Sequence, residues 1–245
     1  MSKEWFETWF DTHYYHLLYR NRNEVEARQF IDALLLFLSP KAGAKFIDVA
    51  CGKGRHSKYL CTRGFEVIGI DLSQNSINEA QEEFKTDPKI EFFQHDIRKP
   101  FPVSNCHYAV NLFTSFGYFD NEEEHLQALC NIHDSLMEDG VFVIDYLNTS
   151  EVLLNLKKTE TKQIEGITFS IKRYLEENSI VKLIEVTDKE KKFQFEERVR
   201  AFSKQDLERL LTRAGFEIKT TFGNYQLDPC TSESKRVIIV AIRKA

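Results

Sequence analysis

At 245 residues, 42% hydrophobic and 29% charged, the chain has the composition of a globular protein of one or two domains, which excludes bulk disorder. Lys+Arg number 33 against Asp+Glu 38, a net charge of −5 that disfavours broad binding to nucleic acid through its phosphates. Aromatic residues are in surplus at 13%, with 20 Phe and both tryptophans, Trp5 and Trp9, among the first ten positions.

Residues 1–39 read as helix in two pieces. Trp5, Phe6, Trp9, Phe10, Tyr14, Leu17 and Leu18 recur at three- and four-residue spacing. The polar stretch 20–23 interrupts the stripe, and a second helix runs from about Glu24 to Leu38, stopped by Pro40 and Gly43. Strands and helices then alternate. Lys45–Val49 is a strand, the helix Arg55–Arg63 follows a glycine turn, and Glu66–Asp71 is the second strand. Ser73 caps a helix running through Phe84. Ile90–His95, Ala109–Phe113 and Gly140–Asp145 read as further strands, with the helix Glu122–Met137 between the last two. This alternation predicts an α/β fold with a doubly wound parallel sheet. The pattern changes at Ile167–Tyr174, Ile180–Thr187 and Phe193–Phe202, which alternate apolar and polar residues as a three-stranded antiparallel meander. A helix at Ser203–Ala214 and strands at Phe216–Phe222 and Arg236–Arg243 close the chain. The expectation is one domain over 1–245: a helical cap at 1–39, a core at 40–150, an inserted β-module at 163–202 and the closing elements at 203–245.

The start of the chain has no apolar segment of a secretory signal, and the longest apolar runs, Ala33–Leu38 and Val237–Ile242, are far short of a bilayer span. The five cysteines (Cys51, Cys61, Cys106, Cys130, Cys230) are odd in number, scattered and without a Cys-x-x-Cys pair, which fits neither a disulfide framework nor a zinc site. A cytoplasmic protein with free thiols is the expectation, with no membrane partner. Histidines and acidic residues are spread without a ligand cluster, so a metal is not indicated.

The motif that carries chemistry is Asp48-Val49-Ala50-Cys51-Gly52-Lys53-Gly54-Arg55-His56. A strand feeds a tight Gly-x-Gly turn and a helix begins at once, so backbone can approach a ligand at a helix N-terminus. Asp71 ends the second strand, where a carboxylate can accept both ribose hydroxyls of a nucleoside, and Leu72 and Ser73 follow it. Asp96-Ile97 follows the third strand, within reach of an adenine amine. Three acidic residues ending successive strands share the edge where open α/β sheets bind ligands.

On these residues the chain resembles a class I S-adenosylmethionine-dependent methyltransferase. Asp48-x-x-x-Gly52-x-Gly54 matches that family's first motif, Asp71 the second and Asp96-Ile97 the third, with Ala50 where many members carry glycine. The resemblance implies a Rossmann-like seven-stranded sheet with an antiparallel seventh strand at Arg236–Arg243. It also implies S-adenosyl-L-methionine as cofactor and a small-molecule acceptor. The stretch Asn111-Leu112-Phe113-Thr114-Ser115-Phe116-Gly117-Tyr118 is similar to the Phe-Ser-Ser-x-Gly segment of amino-sugar N-methyltransferases. Tyr15-x-x-x-Tyr19-x-x-Arg22 resembles those enzymes and the glycine N-methyltransferases, in which the tyrosines and arginine close over the cofactor. Asn111, Leu112 and Phe113 are then cofactor residues, as is His56. Ser115, Phe116 and Tyr118 would line the substrate pocket, and Tyr118, Asp145 and Tyr146 are the candidate catalytic groups. His125, on a polar helix, is expected at the surface. The reaction would be an in-line transfer of methyl to N or O of the acceptor. A non-catalytic cofactor-binding module, a nicotinamide oxidoreductase and a protein or RNA methyltransferase are the alternatives, and a homodimer is left open.

Overall fold

The computed structural model describes residues 4–20 and 24–244 of the chain. Three helices open it: α1 (Trp5–Trp9), α2 (His13–Tyr19) and α3 (Glu24–Leu38). The expected single helix through the first aromatic stripe is divided because Thr12 is a better cap than a helix interior residue. Its side chain accepts from the Tyr15 amide at 3.1 Å and starts α2 afresh. The alternation that follows is β1 (Lys45–Val49), α4 (Arg55–Thr62), β2 (Glu66–Asp71), α5 (Gln74–Phe84), β3 (Ile90–Gln94), β4 (Cys106–Asn111), α6 (Glu122–Ser135) and β5 (Leu136–Leu147). Ser73 caps α5 as expected, accepting from Ser76 N–H. Then come α7 (Thr149–Leu154), β6 (Thr159–Ile164), β7 (Ile167–Glu176), β8 (Ser179–Asp188), β9 (Lys191–Arg200), α8 (Lys204–Arg213), β10 (Phe216–Phe222) and β11 (Arg236–Arg243).

Seven strands form one sheet in the order β10-β11-β5-β4-β1-β2-β3, with β11 antiparallel to both its neighbours. Alternate residues of the central strands face opposite layers. Ile47, Phe142 and Ile239 pack with α6 and α8 on one face, and Phe46, Val143 and Ile238 pack with α3, α4 and α5 on the other. The second sheet is β6-β7-β8-β9, four strands where three were expected. Its extra strand, Thr-Glu-Thr-Lys-Gln-Ile, is an exposed polar edge with no apolar alternation to reveal it. The fourth strand of the large sheet also lies earlier than expected. It spans 106–111 and stops before Leu112, because Phe113 and Thr114 turn the chain with φ of 60° and 61°. No helix among the described residues is long and apolar enough to cross a membrane.

A third apolar cluster joins the N-terminal helices to the small sheet. Trp9, Leu17 and Leu18 pack on Ile167, Phe169, Ile171, Ile184 and Val186. Polar bonds reinforce this: Trp9 Nε1 donates to Glu197 at 2.7 Å and Tyr14 OH to Asp188 at 3.1 Å. Helices α1 and α2 therefore rest mainly on the inserted sheet, while α3 packs on the large one.

His125 corrects the surface expectation: its ring is fully buried on α6, within 5.0–5.2 Å of Phe202, Phe119 and Phe116. Burial pushes its pKa down to about 4. The unfolded chain then takes up a proton near pH 6.5 that the folded chain refuses until about pH 4, so this residue removes stability as pH falls through that window. Its contribution is roughly 3 kcal/mol. Asp48, whose burial pushes it up to about 7, acts in the opposite sense over much of the same range. Urea titrations from pH 7 to 4 should therefore show His125→Gln losing less stability than the unsubstituted protein. Parallel curves would mean that the ring is not sealed from solvent.

Candidate functional site

The chain-reversal points of β1, β2 and β3 meet at one cavity of about 800 Å3, roofed by α1 and α2 and closed at one side by β9. The glycine turn forms its floor. Gly52 and Gly54 take φ of 56° and 75°, and a Cβ on Gly54 would stand 2.6 Å from the Phe92 ring. Glycine at 54 is thus required twice over, by conformation and by space. Ala50 adopts φ 60° without that freedom, at a cost of about 1 kcal/mol. Helix α4 starts at Arg55 with no side-chain cap, which leaves first-turn amides for a polar or anionic ligand group.

Asp71 builds the turn and faces the cavity at once. Its Oδ2 accepts from Gly52 N–H at 2.8 Å and its Oδ1 from Ser73 N–H at 2.9 Å. Burial pushes the carboxyl upward. Each oxygen retains a lone pair for a ligand hydroxyl. Asp96 lies on the cavity wall with Ile97, but Arg98 grips both its oxygens at 2.8–3.1 Å. Burial would raise Asp96, yet the Arg98 bonds hold it below the usual carboxylate range. Arg98 also binds Glu4 and Glu124 and so ties the start of α1 to the floor.

Of the expected cofactor residues, Tyr15, Tyr19, Ala50, Cys51, Gly52 and Gly54 line the cavity. So do His56, Asp71, Leu72, Ser73, Asp96, Ile97, Leu112 and Phe113. Ser115 and Tyr118 line it from the loop after β4. Arg22 lies outside the described residues. Five expected residues are not on the wall. Asp48 sits beneath the turn, where it accepts from Ser57 Oγ at 2.6 Å and ties β1 to α4. Asn111 is fully buried and donates to the Val49 and Ser115 carbonyls. Phe116 packs in the core on Phe202 and His125. Asp145 is fully buried against Arg236, and Tyr146 donates its hydroxyl to the Arg200 carbonyl.

Further residues complete the wall, the first of them from the two aromatic-rich stretches of the sequence. Trp5, Phe6, Phe10 and Phe119 join Tyr15 and Tyr118 in an aromatic roof, with Phe10 4.9 Å from Tyr15 and 5.3 Å from Tyr118. His16 contributes a buried Nε2 without a hydrogen-bond partner, and burial lowers its pKa. Glu197 and Val199 enter from β9. Tyr19 OH donates to both Glu197 oxygens at 2.7 and 2.9 Å, and Lys182 approaches the same pair. Contacts between residues 178 positions apart are invisible to spacing arguments.

The site fits an adenosyl sulfonium cofactor on its own chemistry: an uncapped helix start for the amino-acid end, a carboxylate for the ribose, and aromatic faces for the cation. Comparison with known proteins agrees. Residues 46–140 match a family model described as Methyltransferase domain. A protein of Geobacillus sp. (strain WCH70), provisionally named a methyltransferase, is 29% identical over 151 residues, 61% of this chain and 59% of that one. The dTDP-3-amino-3,4,6-trideoxy-alpha-D-glucopyranose N,N-dimethyltransferase of Streptomyces venezuelae is 28% identical over 133 residues, 54% of each chain. The matched stretches thus span little more than half of these two relatives. An S-adenosylmethionine-dependent methyltransferase from Clostridium acetobutylicum has the same fold, with a TM-score of 0.81 at 19% identity over 95% of this chain and 96% of that one. The family resemblance read from the motifs stands, and S-adenosylmethionine is the cofactor of that family.

Proposed function

We propose, for a chain that carries a methyltransferase domain in the fold of the S-adenosylmethionine-dependent methyltransferases, that it transfers methyl to nitrogen or oxygen of a small-molecule acceptor. The observation that carries this reading is the convergence of the Ala50–Gly54 turn, Asp71, Ile97 and the aromatic roof on one cavity. The bound cofactor supplies an electrophilic methyl on a sulfonium. The chain's own work is alignment and exclusion of water. Gly52, Gly54 and the start of α4 receive the amino-acid end, Asp71 the ribose and Ile97 the base. Phe10, Tyr15 and Tyr118 form the apolar faces suited to a cation. The roof of α1 and α2 closes a cavity of about 800 Å3 that must hold cofactor and acceptor together, and the Streptomyces relative acts, by its name, on an amino sugar. Both favour a small acceptor over a protein or RNA.

A thermal shift series tests the cofactor. A ligand at 100 times its dissociation constant adds about 2.7 kcal/mol, so S-adenosylhomocysteine should raise the midpoint by roughly 5–10 °C in a chain of this size. Stabilisation by NAD and none by S-adenosylhomocysteine would instead point to an oxidoreductase. Cofactor binding without turnover on a panel of amines and alcohols would point to a binding module.

A further inference from the structure

The loop after β4 presents Leu112 to Ser115 and Tyr118 to the cavity, and both of its ends are held from consecutive residues of β5. At the first end, Asp145 Oδ2 accepts from the Phe113 amide at 2.8 Å, and the Asp145 carbonyl accepts from the Thr114 amide at 2.9 Å. Arg236, the first residue of β11, spans the corner: its Nε donates to Asp145 Oδ1 at 2.7 Å and its NH2 group to Thr114 Oγ1 at 2.8 Å. Tyr225 OH donates to the same carboxylate at 3.2 Å, while its ring lies 5.1 Å from that of Phe113. At the second end, Tyr146 OH donates to the Arg200 carbonyl, and the Arg200 amide donates to the Gly117 carbonyl at 2.7 Å. A Cβ on Gly117, whose φ is 92°, would stand 2.3 Å from the Tyr146 hydroxyl.

The corner itself is strained. Phe113 and Thr114 are consecutive non-glycine residues in the left-handed region, a conformation that persists only where its surroundings enforce it. The enforcing groups are all off the cavity wall. Asp145 is fully buried, so it cannot meet an acceptor, and its charge is balanced by Arg236. We infer that Asp145 and Arg236 are a positioning pair that fixes the Phe113–Thr114 corner against the bound cofactor, with Tyr146 fixing the same loop at Gly117. This rests on the methyltransferase reading for its ligand, while the hold on the loop stands apart from it.

The test uses the full chain and two readouts. Asp145→Asn keeps the side chain's shape and removes the charge that recruits Arg236. Calorimetry with S-adenosylhomocysteine should show binding at least tenfold weaker, the scale on which small misplacements act. Hydrogen exchange at the Thr114 amide, whose acceptor is backbone and survives the substitution, should quicken at least tenfold with no ligand present. Asp145→Asn combined with Thr114→Gly should regain much of the lost affinity, because glycine takes the left-handed conformation without enforcement. Should Asp145→Asn fail to fold, Arg236→Lys, which keeps a cation beside Asp145 and loses the arm to Thr114, carries both readouts. Unchanged exchange at Thr114 overturns the pair's hold on the loop. Faster exchange with unchanged affinity, or a loss that glycine does not relieve, leaves the pair a part of the core only. If the unsubstituted protein does not bind S-adenosylhomocysteine, the cofactor reading fails and the exchange result alone decides the hold.

Discussion

Asp71→Ala should weaken S-adenosylhomocysteine binding by about 10- to 100-fold, roughly 1–3 kcal/mol, in a calorimetric titration. The loss has two sources. Ribose hydroxyls would lose their acceptor at the end of β2, and the Gly52 and Ser73 amides, now bonded to the carboxylate, would be left without it. Asp71→Asn separates them. An amide side chain keeps one acceptor oxygen but turns an NH2 toward one of those two donors. It should fall between alanine and the unsubstituted protein if ribose recognition carries the energy. It should match alanine if the shape of the glycine turn does. An unchanged dissociation constant for Asp71→Ala would remove this residue from the site and take the ribose assignment with it.

Trp9→Ala should cost about 3–5 kcal/mol of folding free energy, the range for deleting a fully buried large aromatic. Only 1% of Trp9 is exposed, its ring centre is 4.6 Å from that of Phe195, and its Nε1 donates to Glu197. The substitution opens a hole in the cluster that binds cap to sheet and strips a donor from a wall carboxylate. Equilibrium urea unfolding measures it, and cofactor affinity should drop in parallel because α1 and α2 form the roof. A cost below about 1 kcal/mol would mean that the helices do not rest on the small sheet in solution. Trp9→Phe, which keeps apolar bulk and loses the donor, should sit well inside the alanine figure.

The large sheet was legible because its residues announce themselves locally. Apolar strand runs, the Gly52–Gly54 turn and the acids at strand ends are each local in the sequence, and they led to β1, β2 and the cavity floor without knowledge of anything distant. The loop after β4 was harder. Phe113 and Phe116 are the same residue type three positions apart, yet one faces the cavity and the other the core, because the chain turns through left-handed φ at Phe113 and Thr114. Asp145 and Tyr146, candidate catalytic groups from the sequence, lie behind the wall and not on it, since both side chains hold the loop. Glu197, Val199 and His16 had no signal at all. What brings them to the wall is the docking of the N-terminal helices against β9, a tertiary event that the periodicity of neither segment specifies.

That docking joins α1 and α2 to a sheet completed only at residue 200, and this separation orders the birth of the molecule. A chain leaves the ribosome amino end first, at about 5–20 residues per second. The stripe of α1 and α2 then waits on the order of ten to forty seconds before Glu197 and its strand can emerge to receive Trp9, whose partner lies 188 positions downstream. During that interval the glycine turn and Asp71 are already out. The residues of the pocket's floor thus emerge well before the strand that seats its roof, so the roof closes only after nearly the whole chain has been made.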